Sequence, residues 1–269
     1  MTGGALADAL GRRFDPALEA RILSLVPSLT ETLFALGLED RIVGRTTYCI
    51  HPADRVKKVA SVGGTKKVNW RKVQAARPTH ALLNIDENPK DMAAELQRRG
   101  ILSVVTHPIE PADNGPLIRL IGGLFGRADA AARLADAFDA ALAEFRETIT
   151  PSPRRVLYLI WKDPWMTVSA DTYISRFLAL AGWRTVGGAG RERYPEIDLS
   201  EAVLSETDLV LFSSEPFAFG RNDLNEFRIA HTAHAAKGML VDGEMLSWYG
   251  VRSIQGLTYL RDLAKGRSA

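Results

Sequence analysis

Residues able to do chemistry gather in a few short stretches of this chain. Tyr48, Cys49, His51 and Pro52 stand close together, and Cys49-Ile50-His51 offers two soft ligands to one metal. A closed zinc site needs about four ligands, and Cys49 is the only cysteine. The pair therefore either approaches the metal of a bound chelate from one side or is a buried thiol beside a surface histidine. His231 and His234 are spaced to share a helix face, with no carboxylate partner evident in the sequence. Gly63-Gly64-Thr65-Lys66-Lys67 looks like a phosphate loop but lacks the spacing of one. It reads as a turn at the edge of a site, with Lys66 available to an anionic ligand group.

The stretch from Asp242 to Arg252 carries the most information, with Glu244, Ser247, Trp248 and Tyr249 inside it. Trp248 and Tyr249 offer flat apolar faces with polar edges. Arg252 stands near the start of the last helical stretch, where a cation opposes the helix dipole. Either it serves a ligand or it pairs with Asp242 or Glu244. Trp161, Trp165, Phe217 and Phe219 add four more rings, and Tyr194 is held by Pro195 in a loop. The acids Glu87, Glu215, Asp242 and Glu244 have no spacing that fixes acid–base work. No nucleophile elbow, zinc-protease helix or dinucleotide fingerprint is present.

These residues need elements to hold them. Short apolar runs predict strands at Ile22–Val26, Arg41–Val43, His80–Asn84, Leu102–Thr106, Val156–Trp161, Leu209–Ser213 and Met239–Asp242. Ser28-x-x-Glu31 predicts a capping box opening a helix that stops near Gly37. Strands alternating with helices predict parallel α/β sheets. Ligands of such sheets bind beyond the carboxyl ends of the strands. The chemistry-bearing residues fall just past those ends.

The chain also repeats itself. Arg21-Ile22-Leu23-Ser24-Leu25-Val26 is similar to Arg155-Val156-Leu157-Tyr158-Leu159-Ile160, and R-x-V-G recurs at Arg41–Gly44 and Arg184–Gly187. Two similar lobes follow: residues 1–127 and 151–269. Ala128 to Thr148 between them is alanine-rich, with Leu134, Phe138, Leu142 and Phe145 at helical spacing and Pro151 beyond its end. At 1.5 Å per residue it spans about 30 Å, enough to cross from one lobe to the other.

Composition sets the outer bounds. The 269 residues are 46% hydrophobic and 25% charged, with a formal charge of +2, which excludes wholesale disorder. No basic block interleaves with aromatics, so nucleic acid is not an expected partner. No apolar run is long enough for a membrane span. Met1–Arg13 has no basic start and no apolar centre. With Met1 as the natural start, the expected location is the cytoplasm; with a leader removed, it is the periplasm or the extracellular space.

On these residues the sequence resembles the helical-backbone (class III) periplasmic binding proteins, which capture vitamin B12 and iron–siderophores. Leu25-Val26-Pro27-Ser28-Leu29-Thr30-Glu31, Val62-Gly63, Ala76-Arg77-Pro78-Thr79-His80 and the long connector carry the resemblance over about residues 20 to 264. The nearest fit is the cobalamin-binding or metal-receptor-like branch, in a form without a signal peptide. The resemblance implies two lobes joined by a rigid helix, gripping a corrinoid or another metal chelate. Tyr48 and Tyr194 would be aromatic walls, and Thr65 would occupy the place of a cleft tryptophan. Trp248 to Arg252 would supply polar and stacking contacts. Relatives that dock on a permease carry one surface glutamate per lobe; Arg71 and Ser200 stand there here, with Glu201 adjacent, which argues against permease docking.

The expected function is therefore binding without catalysis. The ligand contacts would be Tyr48, Cys49, His51, Thr65, Lys66, Glu87, Trp161, Trp165, Tyr194, Glu215, Phe217, Asp242, Glu244, Trp248, Tyr249 and Arg252. Cys49 or His51 would be an axial ligand to the chelated metal. No cofactor is required, although a cobalamin, other corrinoid or iron chelate would be the ligand. The rivals are an enzyme acting on a metal chelate and a secreted ABC-importer receptor.

Overall fold

Strands buried on both faces need continuous apolar runs, and these runs set the architecture. The structure is a computed structural model and describes residues 6–188 and 192–266; residues 1–5 of the opening stretch lie outside them. The first half runs β1 (Ile22–Ser24), α1 (Pro27–Ala35), β2 (Ile42–Arg45), α2 (Trp70–Ala76), β3 (His80–Asn84), α3 (Lys90–Arg98), β4 (Leu102–Thr106) and α4 (Asn114–Leu124). Then comes α5 (Ala128–Thr148). The second half runs β5 (Arg154–Leu159), α6 (Tyr173–Ala179), β6 (Trp183–Thr185), α7 (Glu201–Ser205), β7 (Leu209–Ser213), α8 (Arg221–Ala230), β8 (Gly238–Val241), α9 (Gly243–Ser247) and α10 (Arg252–Ala264).

The strands form two four-stranded sheets, ordered β2-β1-β3-β4 and β6-β5-β7-β8. Every pairing in both is parallel. The two orders are the same path drawn twice, as the internal repeat implies. In the first sheet Leu23, Ala81 and Leu83, with Leu25 just past β1, pack with Val73 and Leu96 from α2 and α3. In the second, Leu157, Leu159, Val210 and Phe212 pack with Leu204, Leu224 and Phe227 from α7 and α8.

The packing divides the chain into two units. One comprises Met1–Pro108, Ala112–Asp139 and Tyr249–Arg252; the other comprises Ile109–Pro111, Ala140–Trp248 and Ser253–Ala269. The division falls inside α5, between Asp139 and Ala140, rather than at the ends of that helix. Ala131, Ala135, Phe138, Leu142 and Phe145 form its buried stripe, at alternating spacings of four and three. Tyr249–Arg252 belongs to the first unit although the residues on either side belong to the second.

The capping box expected at Ser28 does not form. α1 begins one residue earlier, with Pro27 in the first turn and Val26 as a cap without a side-chain bond. Proline suits that place because its missing N–H has no partner there anyway. Glu31, the expected capping acid, instead accepts two 2.7 Å hydrogen bonds from Arg252. The helix face proposed for His231 and His234 is also absent: α8 stops at Ala230, and His234 lies in a 3-10 turn over Thr232–Lys237. Its Nε2 has a carboxylate neighbour that the sequence did not reveal, Glu201 at 2.9 Å.

Candidate functional site

In the first unit, the ends of β2, β3 and β4 carry a polar loop cluster. Asn84 and Asn88 organise it. The Asn84 N–H donates to Asn88 Oδ1 at 2.9 Å, and the Asp86 N–H donates to Asn84 Oδ1 at 2.8 Å. Asn88 Nδ2 reaches the carbonyls of Leu25 and Thr65 at 3.2 and 3.0 Å. This ties the β3 loop to the Gly63–Lys67 turn. Gly63 has φ +122°, and a Cβ there would lie 2.8 Å from the Lys67 carbonyl oxygen, so only glycine fits. The segment is a turn, closed by an antiparallel bridge from Gly63 to Val68. Lys66 Nζ donates to the Asp86 carbonyl at 2.9 Å, and Thr65 is half-buried.

Tyr48 stands out, at 61% exposure just past β2. Its neighbour Cys49 is wholly buried. The thiol sits 3.0 Å from Thr30 Oγ1 and 3.1 Å from Thr46 Oγ1. Burial pushes its pKa up, against smaller opposing effects of those hydroxyls, which makes it a poor thiolate and a poor metal ligand. His51 is half-buried and precedes a cis proline. Among the described residues no group of three or more His, Cys, Asp or Glu is placed to hold a metal ion. Arg45 donates to the carbonyls of Val56 and Thr46, each at 2.9 Å.

Tyr249 to Arg252 is clamped into this unit. The Tyr249 O–H donates to Glu87 Oε1 at 2.7 Å, and the Gly250 N–H donates to Asn114 Oδ1 at 2.6 Å. Arg252 closes the clamp on Glu31. Tyr249 is 6% and Arg252 8% exposed. Burial chiefly, and the Glu87 charge next, hold the Tyr249 phenol well above its usual range.

In the second unit the strand ends are aromatic. Trp161, just past β5, is 42% exposed and meets Phe217 edge to face at 5.6 Å. Trp165 stacks on Phe219 at 5.9 Å, and Lys162 lies over the Trp165 ring while bonding Asp223 and Glu226. Trp165 and Phe217 pack against the core, Phe219 is within it, and Trp248 is buried. Trp248 Nε1 donates to Glu215 Oε2 at 2.7 Å. Asp242 caps α9 by accepting from the Met245 N–H. Glu244 in that helix is half-buried, as is Tyr194. The Tyr194 loop is laced to a neighbouring segment, with Thr167 N–H donating to the Pro195 carbonyl and Ser169 N–H to the Arg193 carbonyl.

The sequence-predicted residues thus fall into two strand-end groups, one in each unit. Sequence reasoning missed Glu31 and Asn114, which organise the first group through partners far away in the chain, and Asn84, which organises its own loop through Asp86 and Asn88.

Two all-parallel α/β sheets of one topology, with ligand-type side chains at the strand ends and a 21-residue helix shared by their units, define a two-unit solute-binding protein. The sequence pattern described as periplasmic binding protein matches residues 22–236, and the chain belongs to that family, in the helical-backbone class. Its members are solute-binding proteins rather than enzymes. The vitamin B12-binding protein of Yersinia pestis (strain Pestoides F) is 23% identical over 194 residues, 72% of this chain and 69% of its own. The periplasmic vitamin B12 binding protein BtuF of Vibrio cholerae superposes with a TM-score of 0.80 at 18% identity, covering 93% of this chain and 98% of that one. The periplasmic heme-binding protein RhuT from Roseiflexus sp. RS-1 gives 0.78 at 22% identity, covering 93% and 99%.

Proposed function

We propose that this protein is a receptor for a metal chelate, a corrinoid or another flat macrocycle, bound by the residues beyond its strand ends. One observation carries the reading: each unit leaves a large ring bare at a strand end, Tyr48 at 61% and Trp161 at 42% exposure. Such faces suit stacking on a broad planar ligand. The names of the B12- and heme-binding relatives support the same class. The bound chelate is cargo, and no resident cofactor belongs to this reading.

The test is an absorption titration of the purified protein with dicyanocobinamide, cyanocobalamin and hemin. A saturable band shift with at least one of them is expected, weakened in Tyr48→Ala and Trp161→Ala. Failure of all three to bind overturns the reading.

We also propose that the receptor works without docking on a permease: by the family resemblance, exposed Arg71 on α2 and Ser200 at the cap of α7, with Glu201 adjacent, stand where docking relatives carry an acidic pair. Recovery of a stable complex with permease subunits would contradict this. On location, the periplasmic setting of the relatives gives better support to an extracytoplasmic protein than to the cytoplasmic one expected from Met1–Arg13. Fractionation of the natural protein decides between them.

A further inference from the structure

We infer that Gly64 is a positioning residue for Tyr48: with no side chain at 64, the tyrosine ring lies against the backbone of the turn that starts at Gly63, and is held there for stacking on the ligand. The inference rests on the receptor reading above and deepens it.

Tyr48 is exposed, yet the chain on either side of it is fixed. Before it, the Thr47 N–H donates to the Gly63 carbonyl at 2.7 Å, and Thr47 Oγ1 donates to the same oxygen at 3.3 Å. After it, Cys49 is wholly buried with its thiol against Thr30 and Thr46. The buried thiol thus anchors the loop that carries the ring. The turn beneath the ring is held as well. The Gly64 N–H donates to the Lys67 carbonyl at 2.8 Å, and Asn88 Nδ2 donates to the Thr65 carbonyl at 3.0 Å. All of these residues belong to the first unit.

The two glycines of the turn have different tasks. Gly63 serves the backbone, through its positive φ and the nearby Lys67 carbonyl. Gly64 is not among the glycines with positive φ, so backbone strain does not require glycine there. A Cβ on Gly64 would lie 3.3 Å from Tyr48 Cε2, tighter than ordinary van der Waals contact, and 3.8 Å from the Lys67 carbonyl oxygen, which is ordinary contact. The Tyr48 ring is therefore what glycine at 64 accommodates. A ring seated before the ligand arrives need not be ordered on binding, which removes a cost from association. A side chain at 64 would push the ring edge away and tilt the face offered for stacking.

The test is a double-mutant cycle of Gly64→Val with Tyr48→Ala. It is read by absorption titration with dicyanocobinamide, cyanocobalamin and hemin, beside a thermal melt of each variant. Gly64→Val should weaken binding of a chelate that the wild type takes up by about fivefold, with a melting midpoint close to that of the wild type. Gly64→Ala should act in the same direction by less. In the Tyr48→Ala background, Gly64→Val should cost no further affinity. Gly63→Ala should instead lower the melting midpoint. Wild-type affinity in Gly64→Val overturns the inference. So does a loss that persists in full in the Tyr48→Ala background, because the valine would then act on the ligand or the turn and not through the ring. Both results leave the receptor reading standing. Failure of all three chelates to bind the wild type defeats the receptor reading and this inference with it. If Gly64→Val does not fold, Gly64→Ala carries the cycle.

Discussion

Ser24 in β1 and Tyr158 in β5 occupy matching positions of the internal repeat, and the two units fill that position in opposite ways. Ser24 Oγ lies 2.7 Å from Thr30 Oγ1, which also contacts the Cys49 thiol. A knot of small polar groups closes the first unit there. Tyr158 is wholly buried, and its hydroxyl pairs with Ser213 Oγ at 2.9 Å. A large ring fills the same place in the second unit. The strand ends follow the same division, with asparagines and charged groups in the first unit and indoles and phenyls in the second. One backbone path tolerates both because the apolar runs of the inner strands set the sheets, while the interior filling needs only the right volume and satisfied polar groups.

Copying one unit into the other gives the largest expected effect. Tyr158→Ser installs the residue of the first unit in the second and opens a cavity where a ring was, at a cost of about 3–5 kcal/mol. Tyr158→Phe keeps the volume. Ser213 retains the Glu215 carbonyl at 2.7 Å, so the loss should be only about 1 kcal/mol. Urea denaturation of both variants separates ring from hydroxyl, and equal losses would show that volume is not what distinguishes the units.

The clamp of the first unit comes next. Arg252→Ala leaves Glu31 without its guanidinium in a largely buried place, a loss of about 3 kcal/mol. The Glu31→Gln, Arg252→Met double variant should recover much of that in a melt. A merely surface pair would lose less than about 1 kcal/mol.

Glycine offers a finer contrast within the same unit. Gly250 has φ +78°, and an added Cβ would lie 2.3 Å from Thr32 Oγ1; Gly37 has φ +67° with open space around it. Gly37→Ala should cost about 1 kcal/mol for backbone strain alone. Gly250→Ala should cost clearly more, because the clamp must also shift. Similar melting shifts for the two would mean that the clamp gives way easily.

How much of this was legible in the sequence depends on distance along the chain. The strands β3, β4 and β7 end where their apolar runs end, and α5 spans Ala128–Thr148 because its stripe and the prolines beyond it are local signals. The strand β6 was not legible as a strand: Trp183-Arg184-Thr185 has no apolar run and showed only as part of the repeat. The location of the candidate site followed from topology, since strand ends are where open parallel sheets bind ligands. Which side chains lie bare there was not legible. Tyr249 meets Glu87 across 162 positions, and Arg252 meets Glu31 across 221. No spacing rule reaches that far, so a buried, clamped tyrosine and a bare one such as Tyr48 look alike in the sequence.

The smallest expected effect concerns the first residue of the third strand, His80 in β3 against Leu209 in β7. His80 is 8% exposed. It meets the Phe125 ring edge-on at 5.8 Å and hydrogen-bonds Thr79 Oγ1 through Nδ1 at 2.9 Å. Burial, and next the charge of Arg41, lower its pKa below the ordinary 6.5. The unfolded chain therefore takes up the proton more readily than the folded one. Where the unfolded state binds more protons, stability rises with pH. The His80 contribution to stability is thus intact above pH 6.5 and declines as pH falls below it. His80→Leu, which copies the second unit, removes this titration. Denaturation midpoints at pH 7 and pH 5 should then differ less in the variant than in the wild type, the background from carboxylates being common to both. An undiminished difference would mean that His80 accepts its proton within the folded first unit as easily as in the unfolded chain, and that burial there is no barrier to charge.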